Sequence, residues 1–223
     1  PVYHSNKRSK GEDIFELTID ANSNAISGRF LANDEIIIFP ITEDSIKRAG
    51  STTAPHAISD ELSYLAKGID AAKNEVYITG IQELLDYEGS HKYKNFKIIG
   101  NYIVKNTILE DFIRIYLGKT EYHIDKDFKL HYEIILDGNK VKKKSIDLKK
   151  TFITFKLEKI YSGNISVTRD VGLHNFYIEY IREKNKHSDT MDYCDITGKI
   201  DYCVERHRGV IGTAKLVGIS NYN

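Results

Sequence analysis

Apolar and polar positions alternate with period two from Asp13 to Asp20, with Phe15, Leu17 and Ile19 on one side and Glu16, Thr18 and Asp20 on the other. That pattern predicts a half-buried strand. Asn22-Ser23-Asn24 reads as a turn, and Ala25 to Leu31 and Glu35 to Phe39 continue what looks like a meander. Ile36-Ile37-Ile38-Phe39 is continuously apolar, which predicts a central strand covered on both faces and ended by Pro40. The polar stretch from Thr42 to His56 reads as a loop.

The period then becomes helical. Ser59 is placed to cap a helix in which Leu62, Leu65 and Ala66 share a face, with Glu61 in its first turn and Gly68 as its stop. Three further helices are predicted at about Asn74–Tyr87, Tyr93–Lys105 and Leu109–Leu117. Spacings such as Val76, Gly80, Leu84 and Ile108, Phe112, Ile115 support them. Gly80 and Gly100 fall inside two of these helices, where glycine costs about 1 kcal/mol against alanine, so close packing is expected at both. From Phe128 alternation returns: Leu130, Tyr132, Ile134 and Leu136 against Lys129, His131, Glu133 and Ile135, leading into Asp137-Gly138-Asn139. Phe152–Leu157 is the expected partner of that strand. His174–Lys184 is expected to be a helix presenting Phe176, Tyr177, Tyr180 and Ile181, with strand and loop from Asp192. Sheet, helices and sheet in that order predict an α+β fold of small, mostly antiparallel sheets with an inserted group of helices. The 223 residues divide at most into sub-regions 1–118 and 119–223.

Composition narrows the classes. Lys+Arg and Asp+Glu are 32 each, so a free-standing, uniformly basic nucleic-acid binder is excluded, and any such binding must come from local patches or from partners that supply most of the charge. Two cysteines exclude a disulfide-rich secreted scaffold. No apolar run approaches the roughly 20 residues of a membrane span. Pro1 to Lys10 is polar and basic, without the apolar stretch of a signal peptide, so a cytoplasmic protein is expected. The start at Pro1 rather than Met suggests a trimmed N-terminus.

Three segments carry candidate chemistry. The run Lys140, Lys142, Lys143, Lys144, Lys149, Lys150 is the densest charge, suited to a phosphate track or to a solvated hairpin rim. Lys47-Arg48-Ala49-Gly50-Ser51-Thr52-Thr53 joins two cations, three hydroxyls and a glycine that permits close backbone approach, a set suited to phosphates or base edges. Cys194, Cys203 and His207 are spaced C-x8-C-x3-H and lack the short C-x2-C knuckle of common zinc sites. They are an alternative metal set, with His187 or Asp192 as a fourth ligand, on which a metal-dependent nuclease could be built. Neither a Walker-type nor a dinucleotide glycine fingerprint occurs, and no catalytic constellation is readable.

In order along the chain, Leu17–Asp20, Pro40, Lys47-Arg48-Ala49-Gly50-Ser51, Pro55 with Ile58, Asp60 and Tyr64, Phe176–Tyr180, Thr197-Gly198-Lys199, His207-Arg208-Gly209-Val210 and Ala214-Lys215-Leu216-Val217-Gly218-Ile219-Ser220-Asn221 form a recognisable series. It resembles the N-terminal part of the large subunit of the type I-C CRISPR surveillance complex, Cascade, with the type I-B large subunit as a close neighbour. Ala49, Glu61 and Lys199 depart from the family's usual Ser, Asn and Glu. The resemblance implies that residues 1–223 are the N-terminal domain of a longer subunit without catalytic activity, cofactor or metal. It implies as partners the guide RNA with its 5′ handle, target double-stranded DNA whose flanking motif is read and which is opened into an R-loop, the other Cascade subunits, and a helicase-nuclease recruited after target binding. It further implies that Lys47, Arg48, Ser51, Thr52 and Thr53 form the flanking-motif or handle loop, and that Lys142, Lys143, Lys144, Arg206, Arg208 and Lys215 contact backbone. A subunit that touches only protein is the remaining alternative.

Overall fold

The computed structural model describes residues 4–46, 48, 53–136, 140–158, 165–185, 191–193, 198 and 200–202. Its elements in order are β1 (His4–Arg8), β2 (Ile14–Ile19), β3 (Ala25–Phe30), β4 (Ile36–Pro40), the single turn α1 (Glu43–Ile46), β5 (Asp60–Glu61), α2 (Leu62–Leu65), α3 (Ala71–Asp86), α4 (Lys94–Val104) and α5 (Ile108–Leu117). They continue with β6 (Tyr122–Ile124), β7 (Lys129–Leu136), β8 (Lys140–Asp147), β9 (Phe152–Leu157), β10 (Ile165–Ser166), α6 (Val171–Asn185), β11 (Met191–Tyr193) and β12 (Ile200–Tyr202). This is a mixed α+β fold with small sheets. Among the described residues no helix is long and apolar enough to cross a membrane.

The main sheet runs β10-β9-β2-β3, with β5 also pairing to β9. β2 and β3 form an antiparallel hairpin. Its turn is set by Asp20, whose carboxylate accepts the backbone N–H groups of Asn22 and Asn24 at 2.9 and 2.8 Å. On one face Phe15, Leu17, Ile153 and Phe155 are fully buried against Tyr77, Ile81, Phe96, Ile99, Ile103 and Phe112 of α3, α4 and α5. Side chains alternate across a strand, so Ile14 and Phe152 point the other way. There they join Leu31, Ile37, Phe39 and Ile41 in a second, smaller cluster under the β1–β4 ribbon. The third sheet is the antiparallel set β6-β7-β8. Leu130, Tyr132 and Ile146 at its base enter the main core, and Ile135, Leu136 and Val141 toward its tip are exposed.

Helices α3 to α5 lie where the hydrophobic period predicts them. Other expectations are corrected. Ile36–Phe39 is not a central strand: among the described residues it pairs only with β1, and Ile36 and Ile38 are 53% and 45% exposed while Ile37 and Phe39 are buried. Phe152–Leu157 does not pair with the 129–136 strand. It lies parallel to β2 in the middle of the main sheet, and β6 and β8 flank β7 instead. Ser59 is not a helix cap; its Oγ bonds Thr154 Oγ1 at 3.2 Å, and α2 is preceded by Glu61 without a side-chain cap. The capping carboxylate belongs to Asp70, which accepts the Lys73 N–H at the start of α3. Of the two helical glycines only Gly100 meets a neighbour, a Cβ there standing 2.8 Å from Leu85; at Gly80 the space is open.

Candidate nucleic-acid interface

Arg48 belongs to the segment between α1 and β5. Asp60, at the start of β5, is fully buried, held there because β5 pairs with the core strand β9. A buried carboxylate needs several donors. Asp60 accepts the backbone N–H of His56 at 2.8 Å and that of Glu61 at 2.7 Å. Arg48 Nη1 adds two bonds, at 2.8 and 2.9 Å, and Arg48 Nη2 reaches Glu61 at 3.2 Å. The guanidinium lies over the Tyr64 ring at 4.1 Å, and Lys73 approaches the same ring at 5.2 Å. The two segments that the sequence series singled out, around Arg48 and around Asp60 to Tyr64, are thus one unit. Both amino groups of Arg48 are engaged with carboxylates and its side chain is only 20% exposed.

The surroundings of this unit are not legible in the sequence. His56 is sandwiched near Phe39 and Phe152, and its Nδ1 is buried without a hydrogen-bond partner among the described residues. Burial lowers its pKa; the Arg48 and Lys7 charges act in the same sense, and Asp60 opposes them. Burial likewise raises the Glu61 carboxyl, against the pull of Arg48. Lys7 sits over Phe152 at 5.4 Å. No periodicity signals this convergence, because the groups come from four separated stretches: Lys7, Phe39, Arg48–Glu61 and Phe152.

The lysines of β8 divide by strand alternation. Lys142 and Lys144 share the face of Ile146, whereas Lys143 points to the other side. Lys144 is turned onto Glu12, its Nζ 2.9 and 3.0 Å from the two carboxylate oxygens. Lys143 is 87% exposed, with Glu133 at 3.9 Å as a loose partner. Lys140 and Lys142 are exposed, and no ion pair to them occurs among the described residues. Thr53 is exposed. No hydrogen bond or ion pair among the described residues joins Arg48 to these lysines. Lys47, Ser51, Thr52, Arg206, Arg208 and Lys215 lie outside the described residues, as do Cys194, Cys203 and His207.

On the outer face of the third sheet His123 and His131 stack with centroids 4.7 Å apart. His131 Nε2 is 2.9 Å from Asp125. That hydrogen bond, with backbone N–H donors from Lys129 and Asp127, holds the Asp125 carboxyl down to about 2. Among the described residues no group of three or more His, Cys, Asp or Glu side chains is arranged to hold a metal ion.

No family model matches the chain, and neither a curated protein nor a solved structure matches it.

Proposed function

We propose that the chain is a non-catalytic nucleic-acid-binding subunit of a CRISPR interference complex of the type I-C or I-B kind, working in the cytoplasm. It would recognise the flanking motif of target duplex DNA and the guide RNA 5′ handle, and would aid R-loop formation beside the other Cascade subunits. The family part of this reading rests on the ordered series of residues from Leu17 to Asn221. The observation that carries the binding itself is the β7–β8 arm: Lys140, Lys142 and Lys143 stand exposed on one strand of it, and only Lys143 has even a loose carboxylate neighbour among the described residues. Ammonium groups so placed release counterions on meeting phosphates, and affinity then falls with salt. Neutral overall charge fits a subunit whose guide and partner chains supply the rest of the field.

The test is the salt dependence of duplex DNA binding by wild type and by the Lys140→Ala/Lys142→Ala/Lys143→Ala variant. Removing three phosphate contacts should flatten the log–log slope by about 3 units. An unchanged slope and affinity would remove the arm from the interface.

A second reading has its own observation. Ile135 and Val141 are cross-strand partners on the outer face of the arm and are 77% and 57% exposed. Such an apolar pair suits a contact with another protein subunit, as in a scaffold that touches only protein. Nucleic acid lost from the purified assembly while the arm still held its protein partner would favour that reading.

A further inference from the structure

The main sheet has one polar face. Beyond the patch covered by the β1–β4 ribbon, Glu16 and Thr18 of β2 lie beside Arg29 and Ser27 of β3 and beside Thr154 and Lys156 of β9. A shallow cavity of about 370 Å³ opens over them. The size is that of a single small ligand unit. Glu16 at its centre is only 7% exposed, unusual for a carboxylate on an open sheet face. Its Oε2 accepts the Ser166 hydroxyl at 3.0 Å. Its Oε1 has no hydrogen-bond donor among the described residues. Arg29, directly opposite, spends Nη1 and Nη2 on Glu35, both at 2.8 Å. Lys156, two residues along and one strand to the other side, has no carboxylate partner among the described residues.

Two cations therefore stand at opposite corners of the trough, about 12 Å apart at the backbone from two strand spacings and two residue rises. Between them lie the half-satisfied Glu16 carboxylate and the Thr18 and Ser27 hydroxyls, and the exposed Glu158 stands on the rim two residues beyond Lys156. A carboxylate accepts hydrogen bonds and repels phosphate. The group it favours at the centre is a neutral donor such as a sugar hydroxyl, with phosphate directed outward to Lys156, since Arg29 is engaged with Glu35. No aromatic side chain lines the trough, so it offers no platform for a stacked base.

We infer that this trough binds one ribose-phosphate unit, with Glu16 accepting a ribose hydroxyl and Lys156 meeting the phosphate, and that it thereby distinguishes RNA from DNA. A 2′-hydroxyl is the donor that DNA lacks. The inference rests on the nucleic-acid-binding reading above and adds a site remote in sequence from the lysine arm.

The experiment is equilibrium binding of the 223-residue chain to fluorescently labelled single-stranded RNA and DNA octamers of the same sequence at one salt concentration. RNA should bind about tenfold more tightly, the worth of one hydrogen bond to a charged group. Glu16→Gln should abolish the preference, so that the RNA and DNA octamers bind alike. Lys156→Gln, at a partly exposed position, should weaken RNA binding and keeps the idea testable where the Glu16 variant does not fold. Competition by uridine monophosphate would identify a free nucleotide as the source of the unit, and competition by the octamer alone would identify a strand. Equal RNA and DNA affinities, or a preference that survives both substitutions, overturns this inference alone. Absence of binding to either octamer overturns the parent reading with it.

Discussion

Arg48 donates from a single nitrogen to both carboxylate oxygens of Asp60, a fully buried residue twelve positions later in the chain. The arginine that the sequence offers to a phosphate is thus the counter-charge of a core carboxylate. Removing one partner of a buried pair leaves the other uncompensated, at a cost of about 3–5 kcal/mol. Arg48→Ala should therefore lower unfolding free energy by that amount in urea titrations. Arg48→Met combined with Asp60→Asn should lose less than the sum of the two single changes. A binding defect in Arg48→Ala bears on nucleic-acid contact only if it is measured below the variant's unfolding range.

Gly80 and Gly28 should respond in opposite senses to alanine. Gly80 lies inside α3, and a methyl group there would have nothing within 4 Å, so Gly80→Ala should gain up to about 1 kcal/mol from helix propensity. At Gly28 a Cβ would stand 3.0 Å from the Glu16 carbonyl oxygen and closer still to the Phe15 ring. Gly28→Ala should cost about 1–3 kcal/mol through overpacking. Thermal midpoints of the two variants against wild type give the comparison directly.

Phe112 ties the helices to the sheet. Its ring is 4.8 Å from Phe15 edge-on and stacked on Tyr116 at 5.7 Å, and it is fully buried. Phe112→Ala should cost about 3–5 kcal/mol by lost burial and a cavity. A loss under about 1 kcal/mol in chemical denaturation would mean that α5 does not pack on the sheet in this register.

Acid should weaken the fold before the carboxylates titrate. Burial first, and the neighbouring His174 charge second, hold His4 down to about 4, whereas an unfolded histidine titrates at about 6.5. The unfolded chain therefore takes up this proton first as pH falls. Stability should drop between about pH 6.5 and 4 with a slope approaching about 1.4 kcal/mol per pH unit for this one group, and His56, also lowered, adds to it. Glu35 is held to about 2 by its hydrogen bonds from Arg29 and Ala32, so what it contributes is lost only below about pH 4.5. Urea midpoints of wild type and His4→Phe across this range should diverge above pH 4, with the variant showing the shallower fall.

Helices α3, α4 and α5 can be read from the chain because an amphipathic period is local: each apolar residue reports its own face to the core. Strands are readable as strands but not as neighbours. Ile36-Ile37-Ile38-Phe39 has the composition of a buried central strand, yet its strand partner among the described residues is the polar segment His4–Arg8, which carries no strand signal. Lysines 140, 142 and 143 are legible as a patch, while the turning of Lys144 onto Glu12, 132 positions away, is not.

The order of residues by itself sets helices α3 to α5, the hairpin turn after Asp20 and the α+β class, since these follow from side-chain period, turn chemistry and propensity over a few neighbours. Pairing of β9 with β2, burial of Asp60 under Arg48 and the gathering of Glu16, Arg29 and Lys156 over one sheet face arise only on folding. They join positions from 12 residues apart to well over a hundred. The choice among such pairings depends on which faces bury together and which charges find partners, and no short stretch of the chain contains that information.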